Sequence, residues 1–365
     1  MGTAIRSPNF SAGPSALPEP VLARMRDELW NWGNTGASVM EISHRSADFM
    51  ALAERMDQDL RGLLDIPSNY KVLFLQGGGA LQFSQIPMNL AGRGGTCDYI
   101  DTGHWARKAL IVARQFAQVN VAAAVDFDAE IKVLPRESEW RLSSKPAYLH
   151  YTANETIDGL EFQWIPNVGR DVPLVGDFSA NILSGPLDVS RFGLIYAGAQ
   201  KNIGPSGMTL VIVREDLLGR AHAYCPEILN YEVQAKHGSM YNTPTTFAWY
   251  AASLVFEWIK STGGLEAMRA RNIRKKDILY RQIDSSSFYI NDVSAPDRSY
   301  MNIPFRLATP GLDAAFLAGA AERGFIGLKG HRAKGGIRAS LYNAVSEEAV
   351  QALAVYMADF ERRHA

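Results

Sequence analysis

Residues 197–207 read A-G-A-Q-K-N-I-G-P-S-G, with a single lysine, Lys201, set among small residues. An apolar run at 194–196 (LIY) precedes the stretch and another at 208–213 (MTLVIV) follows it. This layout predicts a lysine held on a short turn between two buried strands. Two readings fit it. A Schiff-base lysine needs this setting, because partial desolvation lowers the amine pKa and small neighbours let a flat cofactor approach. A surface lysine in a strand–turn–strand loop has the same local pattern, so the rest of the chain must decide.

Upstream of the turn, β-rich apolar runs alternate with helical patterns. Strands are expected at 71–75, 98–101, 118–125, 147–151, 174–178, 194–197 and 208–213, with helices from Ala80 and over 105–116. Such alternation predicts an α/β layer with a mostly parallel sheet flanked by helices. A long helix follows over 246–260, with Gly263-Gly264 as its stop signal. Beyond it the texture becomes α+β: helices over 267–284 and 312–323, strands over 301–307 and 337–342, and a final helix capped by Ser346. Two domains are expected from the 365-residue length: a large α/β domain over 16–264, and a smaller α+β domain formed by 1–15 with 265–365.

With 47% hydrophobic and 21% charged residues and a net charge of -1, the chain has no global attraction for nucleic acid or membrane surfaces. Any anionic ligand must be captured by a local basic cluster. The two cysteines, Cys97 and Cys225, make no disulfide framework, which fits a reducing compartment. No basic-then-apolar leader precedes Asn9, and no run of about 18 apolar residues occurs, so a cytoplasmic protein that does not span a membrane is expected. No metal site is expected.

Six further motifs carry chemistry. Gly77-Gly78-Gly79-Ala80 lies between a strand and a helix, where backbone N–H groups capture anions or merely form a tight turn. A dinucleotide fingerprint would need a glycine at position 82, which is Gln82, and this weakens a nicotinamide-dependent oxidoreductase reading. Asp177, in G-D-F-S, ends an apolar run 24 residues (201 − 177) before Lys201. A carboxylate at such a strand end can face a ligand crevice and pair with a pyridinium nitrogen, or it can cap a turn. Trp105, after Gly103-His104, can stack on a heteroaromatic ring or fill a core. Thr156, in N-E-T-I-D-G, can serve a ring substituent or close a turn. Lys329, His331, Arg332, Lys334 and Arg338 fall in one segment, to which His44-Arg45 are added. Together they suit a small substrate with more than one anionic group, though basic loops are commonly just solvated. Asn242-Thr243-Pro244 forms a helix entry whose side chains can also donate to a phosphate.

The segments NFSAGP (9–14), MEISHR, FLQGGGALQFSQIPMNL, YTANETIDG, AGAQKNIGPSGMTLVIVREDLLG, GSMYNTPTTFAWY and LKGHRAKGGIRASLYNA closely resemble the phosphoserine aminotransferases. These are class V pyridoxal-phosphate-dependent transaminases of fold type I, and the likeness covers nearly the whole chain. It implies Lys201 as the Schiff-base lysine and proton shuttle, Asp177 against the pyridinium nitrogen and Trp105 stacked on the ring. Gly79, Ala80, Thr156 and Gln200 would hold the cofactor's phosphate and ring oxygen. Asn242 and Thr243 would reach the cofactor phosphate of the neighbouring subunit, which implies a homodimer with shared active sites. His44, Arg45, His331, Arg332 and Arg338 would bind the substrate's anionic groups. Ala80 departs from the arginine that many relatives carry, and leaves only a backbone contact there. The implied reaction moves an amino group between L-glutamate and 3-phosphohydroxypyruvate, giving O-phospho-L-serine and 2-oxoglutarate, with 4-phosphohydroxythreonine as a further substrate of bacterial relatives. Three other readings are weighed against it. An alanine–glyoxylate-type transaminase would not need so many cations. A cysteine desulfurase would need a cysteine after Cys225. A non-catalytic pyridoxal-phosphate-binding module would have no need of the full arginine complement.

Overall fold

A computed structural model describes residues 6–169 and 171–365. The larger layer runs α1 (Glu19–Glu28), α2 (Ala47–Leu64), β1 (Tyr70–Gln76), α3 (Gly78–Leu90), β2 (Thr96–Asp101), α4 (His104–Ala113), β3 (Gln118–Ala124), β4 (Leu149–Thr152), β5 (Leu174–Asp177), β6 (Leu194–Gly198), β7 (Met208–Arg214), α5 (Tyr231–Lys236) and α6 (Thr246–Ser261). Then follow α7 (Gly264–Asp284), β8 (Tyr289–Ile290), β9 (Asn302–Leu307), α8 (Asp313–Glu322), β10 (Ile337–Ser340) and α9 (Glu347–His364).

The first seven strands form one sheet in the order β1-β7-β6-β5-β4-β2-β3. All of its neighbouring pairs are parallel except those made by β7, which is antiparallel to both β6 and β1. The lysine turn explains the exception. Residues 199–207 are too few for the crossover that a parallel return requires, so β7 folds back beside β6 as a hairpin partner. Leu194–Gly198 and Leu174–Asp177 are buried along their whole length, as expected for strands covered on both faces. One face packs on α2 and α6 through Phe49, Met56 and Trp249, and the other on α3, α4 and α5 through Phe83, Leu110 and Tyr231. A separate core gathers α7, α8 and α9 on the antiparallel sheet β10-β9-β8. The two cores meet within α7. Leu265 and Met268 join the large one, and Leu279, Tyr280 and Ile283 join the small one.

Three departures from the sequence reading have local causes. Gly263 takes a left-handed φ of 99°, but it ends α6 only to redirect the chain, and α7 starts at once from Gly264. Ser46 of the S-H-R-S stretch is an N-cap that accepts the Phe49 N–H at 3.2 Å and opens the 18-residue helix α2, which was not anticipated. Helix α1 was likewise unanticipated; it begins directly after Pro18 and carries Pro20 in its first turn, where the missing N–H costs nothing.

An N-terminal arm ties the two cores together. Phe10 is fully buried in the small core, its N–H donates to the Ile326 carbonyl at 2.9 Å, and its own carbonyl accepts the Ser340 N–H at 3.1 Å. A few residues on, Ser15 donates through N–H to the Gln200 carbonyl at 3.0 Å and through its hydroxyl to the Lys201 carbonyl at 2.6 Å.

The α6 ring Trp249 is 1% exposed and packs against Phe49 and Phe74, with centroids 5.9 and 5.4 Å away. Trp249→Ala is expected to destabilise the protein by about 3–5 kcal/mol. Urea denaturation checks this, and a loss under 1 kcal/mol would show that the α2–α6 contact does not hold this layer.

Candidate active site

The C-terminal ends of β4, β5 and β6 and the start of α3 open onto one cavity. Its lining includes Gly79, Ala80, Trp105, Thr156, Asp177, Gln200 and Lys201. The topology places it where parallel sheets bind ligands, outside the carboxyl ends of the strands.

Lys201 is 9% exposed, and its Nζ donates to Thr156 Oγ1 at 2.7 Å. Burial lowers its amine pKa from 10.5 to about 8, against the raising effect of Asp177 and then Glu155. Arg338 adds a smaller lowering effect. The lysine is therefore a partly neutral amine near neutral pH, which is the state a nucleophile needs. Asp177 is 6% exposed, and its Oδ1 accepts the Ser179 N–H at 2.9 Å, which fixes the carboxylate at the strand end. Ser179 Oγ in turn accepts the Gly198 N–H at 3.0 Å, tying the turn after β5 to the end of β6.

The floor is glycine by necessity. Gly77 and Gly78 have φ of 98° and 69°, and a Cβ on Gly79 would lie 3.1 Å from Ser179 Oγ. Behind them α3 begins with backbone N–H groups that no side chain caps, an arrangement that favours an anion. Trp105 forms a wall, and its buried Nε1 has no hydrogen-bond partner. Thr152 Oγ1 and Asn154 Oδ1, also in the lining, are similarly unpartnered. A glycine floor at a helix start, a buried carboxylate, an aromatic wall and unpaired polar atoms fit a flat, phosphorylated heteroaromatic group with polar substituents.

Of the basic residues, Arg338 comes closest. Its Nη1 donates to the Thr156 carbonyl at 3.3 Å, its Nε is buried and unpartnered, and burial lowers its pKa. His331 lies above, its ring 5.3 Å from that of His104, with its pKa lowered first by burial and then by His104. Arg332 and Lys329 are exposed on the same hairpin. His44 and Arg45 are not brought into the cavity of their own chain; they precede α2, and Arg45 is exposed. Asn242 and Thr243 are exposed too, and only the Thr243 carbonyl is engaged, by Gln76 Nε2 at 2.8 Å.

Glu155 was missed. It is fully buried, and its oxygens accept the N–H groups of Trp105 and Ala106 at 3.0 and 2.7 Å. Burial, then the Asp158 charge, push its pKa up to about 8, while the two N–H groups favour the carboxylate. Its signal was an acid directly beside Thr156 in a strand-end turn. Among the described residues, no cluster of three or more His, Cys, Asp or Glu side chains could hold a metal, and no helix is long and apolar enough to cross a membrane.

The model of the family "Aminotransferase class-V" matches residues 8–353. The chain is 60% identical over 362 residues to a phosphoserine aminotransferase of Azotobacter vinelandii, covering 98% of this chain and 99% of that one. It is also 60% identical over 363 residues to one of Pseudomonas entomophila, covering 99% of each. The solved phosphoserine aminotransferase from Bacillus circulans subsp. alkalophilus superposes with a TM-score of 0.96 at 46% identity, covering 99% of both chains. The PLP-bound phosphoserine aminotransferase from Trichomonas vaginalis superposes with a TM-score of 0.92 at 42% identity, covering 97% of this chain and 100% of that one.

Proposed function

The chain belongs to the phosphoserine aminotransferases, a pyridoxal-phosphate-dependent branch of the class-V aminotransferases, and from that premise we propose that the Lys201 cavity transfers an amino group between L-glutamate and 3-phosphohydroxypyruvate. The observation that carries the reading is a buried amine with its pKa lowered to about 8, set between the Thr156 hydroxyl and the Asp177 carboxylate above a glycine floor.

Each residue has a task in this reading. Gly79, Ala80, Gln200 and Thr156, with the backbone at the start of α3, would hold the cofactor's phosphate and ring oxygen, and Trp105 would stack on the ring. Asp177 places a negative charge against the ring nitrogen. The bound pyridoxal phosphate supplies a carbonyl that stores the amino group between half-reactions and an electron-poor ring that stabilises charge at the substrate's α-carbon. Lys201 Nζ would carry the proton between the substrate's α-carbon and the cofactor's carbonyl carbon, and the lowered pKa keeps a neutral fraction available for that transfer. His331, Arg332 and Arg338 receive the carboxylate and phosphate of the substrate. Both substrates carry an α-carboxylate and a distal anion, so one basic pocket serves the two half-reactions.

The active unit is a cytoplasmic homodimer in this reading. Asn242, Thr243, His44 and Arg45 complete the partner's site instead of their own. The exposure of Trp30, at 90%, and of Met40 and Tyr224, above half, supports a covered face. The domain bounds in this reading are 16–264 for the large domain and 1–15 with 265–365 for the small one, although Leu265 and Met268 pack in the large core and Ala16 in the small one; residues 1–5 and 170 lie outside those described.

The test follows the visible absorbance of the purified holoenzyme as O-phosphoserine, glutamate and alanine are added separately. Conversion by the first two but not by alanine is expected. Conversion by alanine and not phosphoserine would overturn the substrate, and no change with any amine would overturn amino transfer. At the floor, Gly79→Val is expected to weaken cofactor binding about 10- to 100-fold, because the added side chain crowds Ser179 Oγ and shifts the backbone that should hold the phosphate. Equilibrium dialysis checks this, and unaltered affinity would move the phosphate elsewhere.

A further inference from the structure

Lys334 belongs to the basic cluster, yet it is already neutralised. Its Nζ pairs with Asp158 Oδ1 at 3.1 Å, and only a third of its side chain is exposed. The other oxygen, Asp158 Oδ2, accepts the His104 N–H at 3.0 Å. With Glu155 on the N–H groups of Trp105 and Ala106, two carboxylates from one turn satisfy three of the donors left open at the start of α4. Gly103 permits this approach. A Cβ there would lie 2.6 Å from Asp158 Oδ2 and 2.7 Å from Glu155 Cδ.

At the other end of the ion pair, the hairpin 329–337 is braced internally. The Gly330 N–H donates to the Gly336 carbonyl at 2.9 Å, and the N–H groups of Lys334 and Gly335 both donate to the His331 carbonyl, at 2.9 and 2.8 Å. A Cβ on Gly330 would fall 2.0 Å from the Gly335 carbonyl oxygen, so the two arms are in closest approach. A stiff hairpin moves as a unit on its base in β10, where Arg338 also reaches the Thr156 carbonyl, and the ion pair is a further hold nearer its tip. The ion pair can therefore help set where His331 and Arg332 stand above the cavity.

We propose that Lys334, Asp158 and Glu155 are positioning residues, an ionic tie that couples the hairpin bearing His331 and Arg332 to the helix start bearing Trp105. The tie rests on the amino-transfer reading above and deepens it. It gives the indole plane and the anion-binding hairpin a common support in residues 155–158, which also include the Thr156 hydroxyl that receives Lys201. The competing role for Lys334, direct capture of the substrate's anion, makes the opposite prediction for Asp158. Neutralising Asp158 would then free the ammonium and strengthen substrate binding, whereas breaking a tie weakens it.

The experiment measures steady-state kinetics and visible circular dichroism of the holoenzymes. Lys334→Met and Asp158→Asn are each expected to raise KM for O-phosphoserine about fivefold with little change in kcat. The double variant should be no worse than either single one, since both remove the same pair. Lys334→Arg should restore KM. Glu155→Gln is expected to alter the dichroism of the bound cofactor and lower kcat more than it raises KM. Should Glu155→Gln not fold, Lys334→Met and Asp158→Asn carry the test alone. A lower KM in Asp158→Asn, or additive effects in the double variant, would overturn the tie. Wild-type holoenzyme that phosphoserine fails to convert would instead overturn the underlying amino-transfer reading.

Discussion

Lys201→Ala is expected to abolish transamination, lowering turnover by about 10⁴-fold or more, and to leave the fold intact. Among the described residues no other lysine lines the cavity: Lys334 is held by Asp158, and Lys275, though buried, is committed to the carbonyls of Leu341 and Tyr342. The same substitution separates catalysis from stability. In the cofactor-free protein the buried amine titrates near 8, against 10.5 for the free side chain. Between those values the native chain has released a proton that the unfolded chain still binds, so this lysine makes stability rise with pH across that window. Below pH 8 both states hold the proton and the full cost of burying it is present, roughly 3 kcal/mol at about 1.4 kcal/mol per pH unit. Cofactor-free Lys201→Ala should therefore be no less stable than wild type at pH 7 in urea, and its advantage should shrink toward pH 10. Turnover within tenfold of wild type would remove Lys201 from the mechanism, and a large loss of stability at pH 7 would contradict the cost of its burial.

Asp177→Asn is expected to lower kcat about 10³-fold, the scale of removing a preorganised charge from a dry site. The substitution is nearly isosteric, and its carbonyl oxygen can still accept the Ser179 N–H, so the strand end keeps its geometry and only the charge is lost. A second effect distinguishes this loss from misfolding. Asp177 is the foremost charge holding the Lys201 pKa up against burial, so its removal must lower that pKa further. The pH profile of the residual activity should move to lower pH. A kcat within tenfold of wild type, or an unmoved profile, would show that the carboxylate serves the turn and not the chemistry.

The elements that were legible in the sequence share a physical signature. Buried parallel strands appear as unbroken apolar runs, so β5 and β6 were located to within a residue or two, and with them Asp177 and the turn carrying Lys201. The glycine floor was legible because glycine takes a left-handed turn without the steric cost of a Cβ. Helix α2 escaped because its cap, Ser46, sits in a stretch whose histidine and arginine drew a chemical reading, when the serine was acting locally on Phe49. Glu155 escaped for a different reason. Its partners, the N–H groups of Trp105 and Ala106, are some 50 residues away, and a backbone donor leaves no mark on a sequence. Lys334 illustrates the converse error, since a charge that looks available in a basic run can be neutralised by an acid 176 positions earlier. Asn242 and Arg45 are exposed and lie away from the cavity of their own chain, so nothing within one copy supports the roles expected for them.

The N-terminal arm bears on how the molecule is made. Phe10 finds its carbonyl partner at Ile326, and Ser15 finds its own at Gln200 and Lys201. A ribosome adding about 5–20 residues per second leaves roughly 15–60 s between the emergence of Phe10 and that of Ile326. Throughout that interval the Phe10 N–H lacks the carbonyl it reaches in the folded protein, whereas Ser15 can meet the lysine turn as soon as residue 201 has been made. The lysine turn can thus be braced from upstream before the small core, which waits for residues past 326, has closed.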